Sequence, residues 1–294
     1  MVARYCLSLV FLSSLALGQK TTVALGGDVL LGRGVAKRAK KIGWGRLLTG
    51  VAPRLRKADL AIINLESPLA PCLPGGTVSR PRLCGDPRGV EALAAGGIDA
   101  VTLANNHALD AGPRGRARTV QLLARGRIAS LGRGSALSGR PRAERLGDIF
   151  VVAASLTPAA LPPGAKVETP TPASLAHAIR RHRNRPVLVL LHSGRELDHQ
   201  ASPHEGRYVR AAVGAGAAAV VMHGAHVVRR LYIEKGVPVH LGLGNLLFDQ
   251  RDPRTWRGVL LTLELERGRP ARVKEVVCVD SRDASISPCP ENKR

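Results

Sequence analysis

Thr22-Val23-Ala24-Leu25-Gly26-Gly27-Asp28 is a short apolar run that ends in two glycines and a carboxylate. Its length and composition are those of a strand buried on both faces rather than of a helix. The same wording recurs along the chain. Further apolar runs at 60–64, 100–103, 149–154, 187–191, 218–222 and 237–241 are equally short. Polar clusters follow most of them: Asn64-Leu65-Glu66, Asn105-Asn106-His107 with Asp110, His192-Ser193-Gly194-Arg195-Glu196, His223-Gly224-Ala225-His226, and Gly244-Asn245.

Helix candidates at 45–57, 87–95, 113–125, 172–183 and 203–215 lie between the runs, several opening with Pro at a favoured first-turn position. The segments 258–265 and 272–279 read as a β-hairpin turned at Arg267-Gly268. Alternating strands and helices with added antiparallel strands define an α/β fold. Sites in such folds gather beyond the carboxyl ends of the strands. The clusters therefore meet on one sheet edge, where imidazole, carboxylate and carboxamide groups together suit a borderline divalent metal. Any one of these histidines alone reads as a structural residue; the set reads as a metal site.

The first 18 residues carry one early cation, Arg4, then a nearly uncharged run closing on Ala16-Leu17-Gly18. That run is shorter than the roughly 20 residues a membrane span needs, and it reads as a signal peptide cleaved near Gly18. The expectation is a single domain over 19–294 that is secreted, periplasmic or held in the cell envelope. Cys72, Cys84, Cys278 and Cys289 remain after cleavage, an even set open to three pairings. Cys72 with Cys84 and Cys278 with Cys289 are favoured, because each pair brackets a short Pro-rich or polar stretch. No C-x-x-C spacing points to zinc on cysteine.

The chain is strongly basic, 44 Lys and Arg against 22 Asp and Glu for a formal charge of +22, a field that draws polyanions. Solvated helix faces account for the same cations equally well. Aromatics are only 3% of the residues, which removes the stacking platforms single-stranded nucleic acid requires, so nucleic acid is not an expected partner.

Four stretches in order carry a resemblance: Gly26-Gly27-Asp28-Val29-Leu30-Leu31-Gly32-Arg33, Ile63-Asn64-Leu65-Glu66-Ser67-Pro68-Leu69, the run from Leu103 through Asn105-Asn106-His107 and Asp110 to Gly112, and Leu243-Gly244-Asn245-Leu246-Leu247-Phe248-Asp249-Gln250. Together they resemble the CapA-type capsule-synthesis (poly-γ-glutamate biosynthesis) family, whose fold is similar to calcineurin-like metallophosphoesterases. The resemblance implies a four-layer α-β-β-α sandwich of the metallophosphoesterase type. It also implies a divalent metal (Mn, Zn or Fe), an anionic partner such as poly-γ-glutamate or another cell-envelope polyanion, and capsule-assembly membrane proteins as further partners.

Residue by residue, Asp28 matches the aspartate of the first phosphoesterase block, and Asn106-His107 match the Asn-His block that supplies a ligand and a catalytic imidazole. His192, His223 and His226 match the later metal histidines, and Glu66 stands where a bridging carboxylate is expected. A metal there would lower the pKa of its water and polarise a substrate oxygen. His107 would protonate a leaving group, with Asp110 either orienting it or capping the helix near Ala111-Gly112. Glu196 reads as a partner fixing a ligand histidine or as a surface charge beside Arg195. Asn105, Asn245 and Asp249 read as loop holders. Two-metal phosphoesterases carry a histidine two residues after the first aspartate; here that position is Leu30. The family's His-Trp-Gly-x-Glu and Gly-His-x-Pro-His appear as His192-Ser193-Gly194-Arg195-Glu196 and Met222-His223-Gly224-Ala225-His226, so polar groups persist while packing residues differ. Two functions fit: a capsule-polymer protein with a hydrolase-like metal site, or an active metal-dependent phosphoesterase.

Overall fold

A computed structural model describes residues 20–74, 81–132, 139–159 and 168–289. The expected leader at 1–18 lies outside the described residues. The opening run forms β1 (Thr21–Val29), the axis of the first sheet. On one side β2 (Leu60–Leu65), β3 (Ala100–Thr102) and β4 (Ala129–Leu131) follow in parallel. On the other, β12 (Arg257–Leu265), β13 (Arg272–Asp280) and β14 (Ser285–Ile286) follow antiparallel, which is the expected hairpin with one further strand.

β12 accompanies β1 only from Thr21 to Leu25; from Asp28 onward the parallel strand β11 (Asn245–Leu247) takes its place. The two chains approach so closely at the change of partner that a Cβ on Gly27 would lie 1.9 Å from the Gly244 carbonyl oxygen. Only glycine permits that approach.

The second sheet runs in the order β5 (Ala143–Leu146), β6 (Ile149–Ser155), β7 (Val187–His192), β8 (Ala219–His223), β10 (Val237–His240), β9 (Leu231–Glu234). Its four inner strands are parallel and its two edges antiparallel.

Strand alternation builds the layers, because successive side chains point to opposite faces. Val23, Leu25, Ile62, Leu188, Leu190, Val221, Leu261 and Leu263 fill the space between the sheets. Ala24, Ile63 and Val101 point outward onto α1 (Arg33–Ile42), α2 (Ala52–Leu55), α3 (Gly89–Gly96) and α4 (Gly112–Arg125). Val187, Val189, Val220 and Met222 point the other way, onto α5 (Pro172–Arg180) and α6 (Pro203–Gly214). The result is a four-layer α-β-β-α sandwich. Each buried large aliphatic side chain contributes roughly 1.5–3 kcal/mol, more than a typical hydrogen bond at about 0.5–1.5. Apolar packing therefore holds the sheets together and leaves their polar edge free for chemistry.

All seven short apolar runs are strands. The helix expected over 45–57 is broken instead into a 3-10 turn at Trp44–Arg46 and the single turn of α2. Pro53 is tolerated only in a first turn, so a helix begins at Ala52 but does not run through from Gly45. α1 was not anticipated; a run of cations masked its buried pair Val35 and Ala39, four residues apart. α5 and α6 open on capping boxes, Thr171 with Ser174 and Ser202 with Glu205. The disulfides Cys72–Cys84 and Cys278–Cys289 are the favoured pairing. Among the described residues no helix is long and apolar enough to cross a membrane.

Candidate metal centre

Strand register places the polar residues in two rows. In the first sheet Asn245, Asp28 and Asn64 lie side by side across β11, β1 and β2. In the second, His192 of β7 lies beside His223 of β8. The rows face each other where the sandwich closes, and Asp28, Asn64, Glu66, His192, His223, His226 and Asn245 are all buried.

Contacts between the rows are direct. His226 Nδ1 is 3.4 Å from Asp28 Oδ2, and its Nε2 is 3.7 Å from Glu66 Oε1. His192 Nε2 lies 3.6 Å from the same Glu66 oxygen. Asp28, Glu66 and His192 offer ligand atoms all within 4.8 Å of one another. An amide scaffold surrounds them. The Asn64 amide donates to Asp28 Oδ1 at 2.7 Å and lies 3.3 Å from His192 Nδ1. Asn105 in turn donates to Asn64 Oδ1 and to the Leu65 carbonyl. The Asn245 amide donates to Gln250 and to the Thr255 carbonyl, which turns its Oδ1 to His226 Nδ1 at 2.8 Å. His226 Nδ1 therefore donates to that oxygen, and its Nε2 faces Glu66. A ring nitrogen fixed in this way is the outer-shell arrangement that orients ligand histidines.

Loop backbone is strained where the second row meets the first. His226 has φ 58° and Gly224 φ 102°. A Cβ on Gly224 would fall 2.8 Å from His192 Nε2, so the loop after β8 reaches Asp28 only with glycine there. The Gly224 N–H then donates to Asp28 Oδ2 at 3.1 Å.

Burial, followed by the charges of Asp28, Glu196 and Asp110, holds the Glu66 carboxyl well above the usual range. Burial, followed by neighbouring His223, His226 and His107, holds His192 well below its usual value. Burial also lowers His223, against the opposing pull of Asp28. The His192 and His223 imidazoles are thus neutral and keep lone pairs. Three buried atoms here have no hydrogen-bond partner among the described residues: Glu66 Oε2, Asn106 Oδ1 and His223 Nδ1. His223 Nε2 faces the Gly26 carbonyl at 3.2 Å, so its Nδ1 bears a lone pair. Every orphaned atom of the cluster is a lone-pair bearer without a donor, a pattern that suits a cation.

Not every expected residue joins the tight group. Asp28, Glu66 and His192 form it, with His226 in contact; His223 is turned to Gly26, and Asn106 lies on the loop after β3. His107 is 12% exposed at the rim, its Nδ1 2.7 Å from Asp110 Oδ2. The capping alternative for Asp110 is wrong: Ala111 is the N-cap of α4, with no side-chain cap, and the Asp110 carboxylate serves His107 and the Leu83 N–H instead. Asn105 holds its loop through the His107 N–H as well. Glu196 is a largely exposed rim charge, 4.0 Å from His226 Nε2. Asp249 accepts from the Gly34 N–H at the start of α1 and pairs with Arg33.

One supporting residue escaped the sequence reading. Buried Arg229 pairs with Glu205 at 2.9 Å and donates to the Asp198 and Arg195 carbonyls, tying down the loop that carries Glu196. The Ser202-x-x-Glu205 spacing was a visible signal for half of that pair.

These features define a protein of the metallophosphoesterase architecture, with its polar groups at the shared strand ends. The structure of Haemophilus influenzae NAD nucleotidase matches 90% of this chain with a TM-score of 0.51 at 10% identity, and this chain spans about half (51%) of that one. That likeness establishes the fold alone. Residues 22–250 match the family model described as bacterial capsule synthesis protein PGA_cap, and the chain belongs to that family. It is 25% identical over 279 residues to the PGA biosynthesis protein CapA of Bacillus subtilis (strain 168), covering 89% of this chain and 72% of that one. It is 26% identical over 289 residues to the capsule biosynthesis protein CapA of Bacillus anthracis, covering 92% and 70%.

Proposed function

We propose that the protein acts outside the cytoplasm, as one domain after loss of residues 1–18, and handles an anionic capsule polymer of the poly-γ-glutamate kind with a metal-dependent, hydrolase-like site. The observation that carries this reading is the convergence of Asp28, Glu66 and His192 from two sheets, with lone-pair atoms left unpartnered around them. Family membership supports the polymer, the two disulfides support an oxidising compartment, and the basic charge, +22 and still +21 after loss of Arg4, supports a polyanionic partner.

In this reading Asp28, Glu66 and His192 hold a divalent cation, with His226, His223 and Asn106 contributing beside them. Such an ion supplies Lewis-acid polarisation of a substrate oxygen and a more acidic water. The chain's own groups do the rest. Asn64 and Asn245 fix the ligand rings, and Glu196 sets the charge of the entrance. Asp110 holds His107 with its proton on Nδ1, leaving Nε2 at the rim to exchange a proton with a leaving group. Leu30 is fully buried against Leu83 and Phe248, so an apolar plug fills the position where two-metal enzymes place a histidine. One ion, rather than a pair, is the stoichiometry this supports.

Elemental analysis of the purified chain, with a panel of phosphodiester and γ-glutamyl substrates, tests the reading. About one equivalent of metal, salt-sensitive binding to poly-γ-glutamate and little phosphodiester turnover are expected, because screening weakens the attraction of a basic surface. The His107–Asp110 pair favours a second reading, an active phosphoesterase. Two tightly bound equivalents and rapid phosphodiester turnover establish that reading and reject the first. Leu30→His probes the difference: the buried imidazole destabilises the metal-free protein by about 1–3 kcal/mol, and a second metal equivalent appears only if that position is complete.

A further inference from the structure

We infer that the Cys72–Cys84 disulfide is a positioning clamp for the His107–Asp110 pair, setting the tautomer of His107 through backbone donors next to the two cysteines. The inference rests on the reading of that pair as the proton-handling group of the site. Its basis is a set of bonds that converge on one residue from both arms of the disulfide. Leu73, which follows Cys72, donates its N–H to the Asp110 carbonyl at 3.0 Å. Leu83, which precedes Cys84, donates its N–H to Asp110 Oδ2 at 2.6 Å, and Arg82 Nη1 donates to the Asp110 carbonyl at 3.1 Å. Asp110 Oδ2 therefore receives Leu83 and His107 together, and the carboxylate is buried.

The two arms are not anchored alike. The second arm has further ties: Gly85 N–H donates to the Pro68 carbonyl at 2.7 Å and Asp86 N–H to the Leu31 carbonyl at 2.9 Å. Leu83 also packs with Leu30 and Phe248, and the Phe248 ring lies 5.0 Å from that of His226. Among the described residues, the first arm is tied to this frame by the bond from Leu73 to Asp110, by the Leu73 side chain lying over Gly112, and by the disulfide. Opening the disulfide frees that arm, loosens the Asp110 backbone between Leu73 and Leu83, and lets the carboxylate leave the His107 ring. An imidazole without that acceptor loses its reason to keep the proton on Nδ1.

The molecule carries its own control. Cys278–Cys289 closes a loop of nearly the same size, a separation of 11 residues against 12, so its general effect on the unfolded chain is similar. It lies on β13 and the segment beyond β14, where Ser287 N–H donates to the Cys278 carbonyl. No hydrogen bond from that disulfide's neighbours reaches Asp110 among the described residues.

The test is the nitrogen chemical shifts of the His107 ring at fixed pH in the full chain, for wild type, Cys72→Ser/Cys84→Ser and Cys278→Ser/Cys289→Ser. Wild type is expected to hold the Nδ1–H form almost wholly, the first variant to lose at least about half of it, and the second to match wild type. Treating the folded Cys278→Ser/Cys289→Ser variant with a dithiol opens Cys72–Cys84 alone and gives the same readout without mutating either of its cysteines. Two electrons and two protons pass to the disulfide, leaving two cysteine thiols and an oxidised dithiol. This arm keeps the question answerable if the Cys72→Ser/Cys84→Ser variant does not fold. An unchanged His107 signature after Cys72–Cys84 is opened overturns the clamp, as does an equal change when Cys278–Cys289 is removed. A wild-type protein whose His107 shows no Nδ1–H bond overturns both the clamp and the reading of the pair beneath it.

Discussion

The two sheets make unequal halves of one site. The first supplies anions and amides, Asp28, Glu66, Asn64, Asn105 and Asn245; the second, with its loop after β8, supplies the imidazoles His192, His223 and His226. Neither half is a ligand set alone. The carboxylates of the first face each other's charge, and burial keeps Glu66 from ionising easily. His192 and His223 of the second are kept neutral by burial, and the carboxylate on their own side, Glu196, is a largely exposed rim charge. The site exists only where the sandwich closes, so the apolar packing between the sheets sets its geometry.

That dependence can be broken from the core. Leu190 faces the opposing sheet, whereas Leu175 sits on α5 and packs onto the far face of the same sheet. Leu190→Ala and Leu175→Ala should each cost about 2–5 kcal/mol in denaturant unfolding. Only Leu190→Ala should also weaken metal binding by calorimetry, because it alone lets the two rows shift. Equal metal affinity in both variants would separate the site from the inter-sheet packing.

A smaller effect is expected from the scaffold. Asn245 touches His226 without standing in the tight donor group, so Asn245→Ala should lower metal affinity by about 10–100-fold and leave the stoichiometry unchanged. An unaltered affinity would mean that His226 needs no orienting partner.

The smallest effect is a single proton, and its sign distinguishes the halves. Without metal, Glu66 is raised above its ordinary 4.5; its contribution to stability is full below that value and is lost as pH rises through the folded value. His192 and His223 are lowered from 6.5, so theirs is present above 6.5 and lost as pH falls. His240, away from the donor group on β10, is lowered by burial to about 4 and sharpens that loss between pH 6.5 and 4. Between pH 4.5 and 6.5 the two trends oppose each other, and with three histidines gaining against one carboxyl losing, the thermal stability of metal-free protein should rise across that window toward pH 6.5. Metal binding near pH 6.5 should release about one proton, from Glu66, since a ligand carboxylate is deprotonated and the ligand imidazole of His192 is already neutral. Calorimetry in two buffers of different ionisation enthalpy measures it, and no release would mean that Glu66 is not a ligand.

Much of this was legible in the sequence, for a physical reason. Fully buried strands must be short and apolar, so runs such as 187–191 announce themselves, and polar residues directly after them fall at strand ends. The local disulfides were legible because each closes a short stretch. What stayed hidden depends on tertiary context. β11 is only three residues long and exists because Gly27 lets it replace β12 beside Asp28. α1 was concealed by its cations. The capping alternative for Asp110 fell because Leu83, 27 residues earlier in the chain, donates to its carboxylate. Arg229 is a surface-type residue that the fold buries against Glu205.

The most direct test of a centre shared between two sheets is anomalous diffraction from crystals grown with zinc. One peak is predicted, with Asp28, Glu66 and His192 at about 2.0–2.2 Å. A peak whose ligands all come from one sheet, or none beside these three residues, would contradict the account.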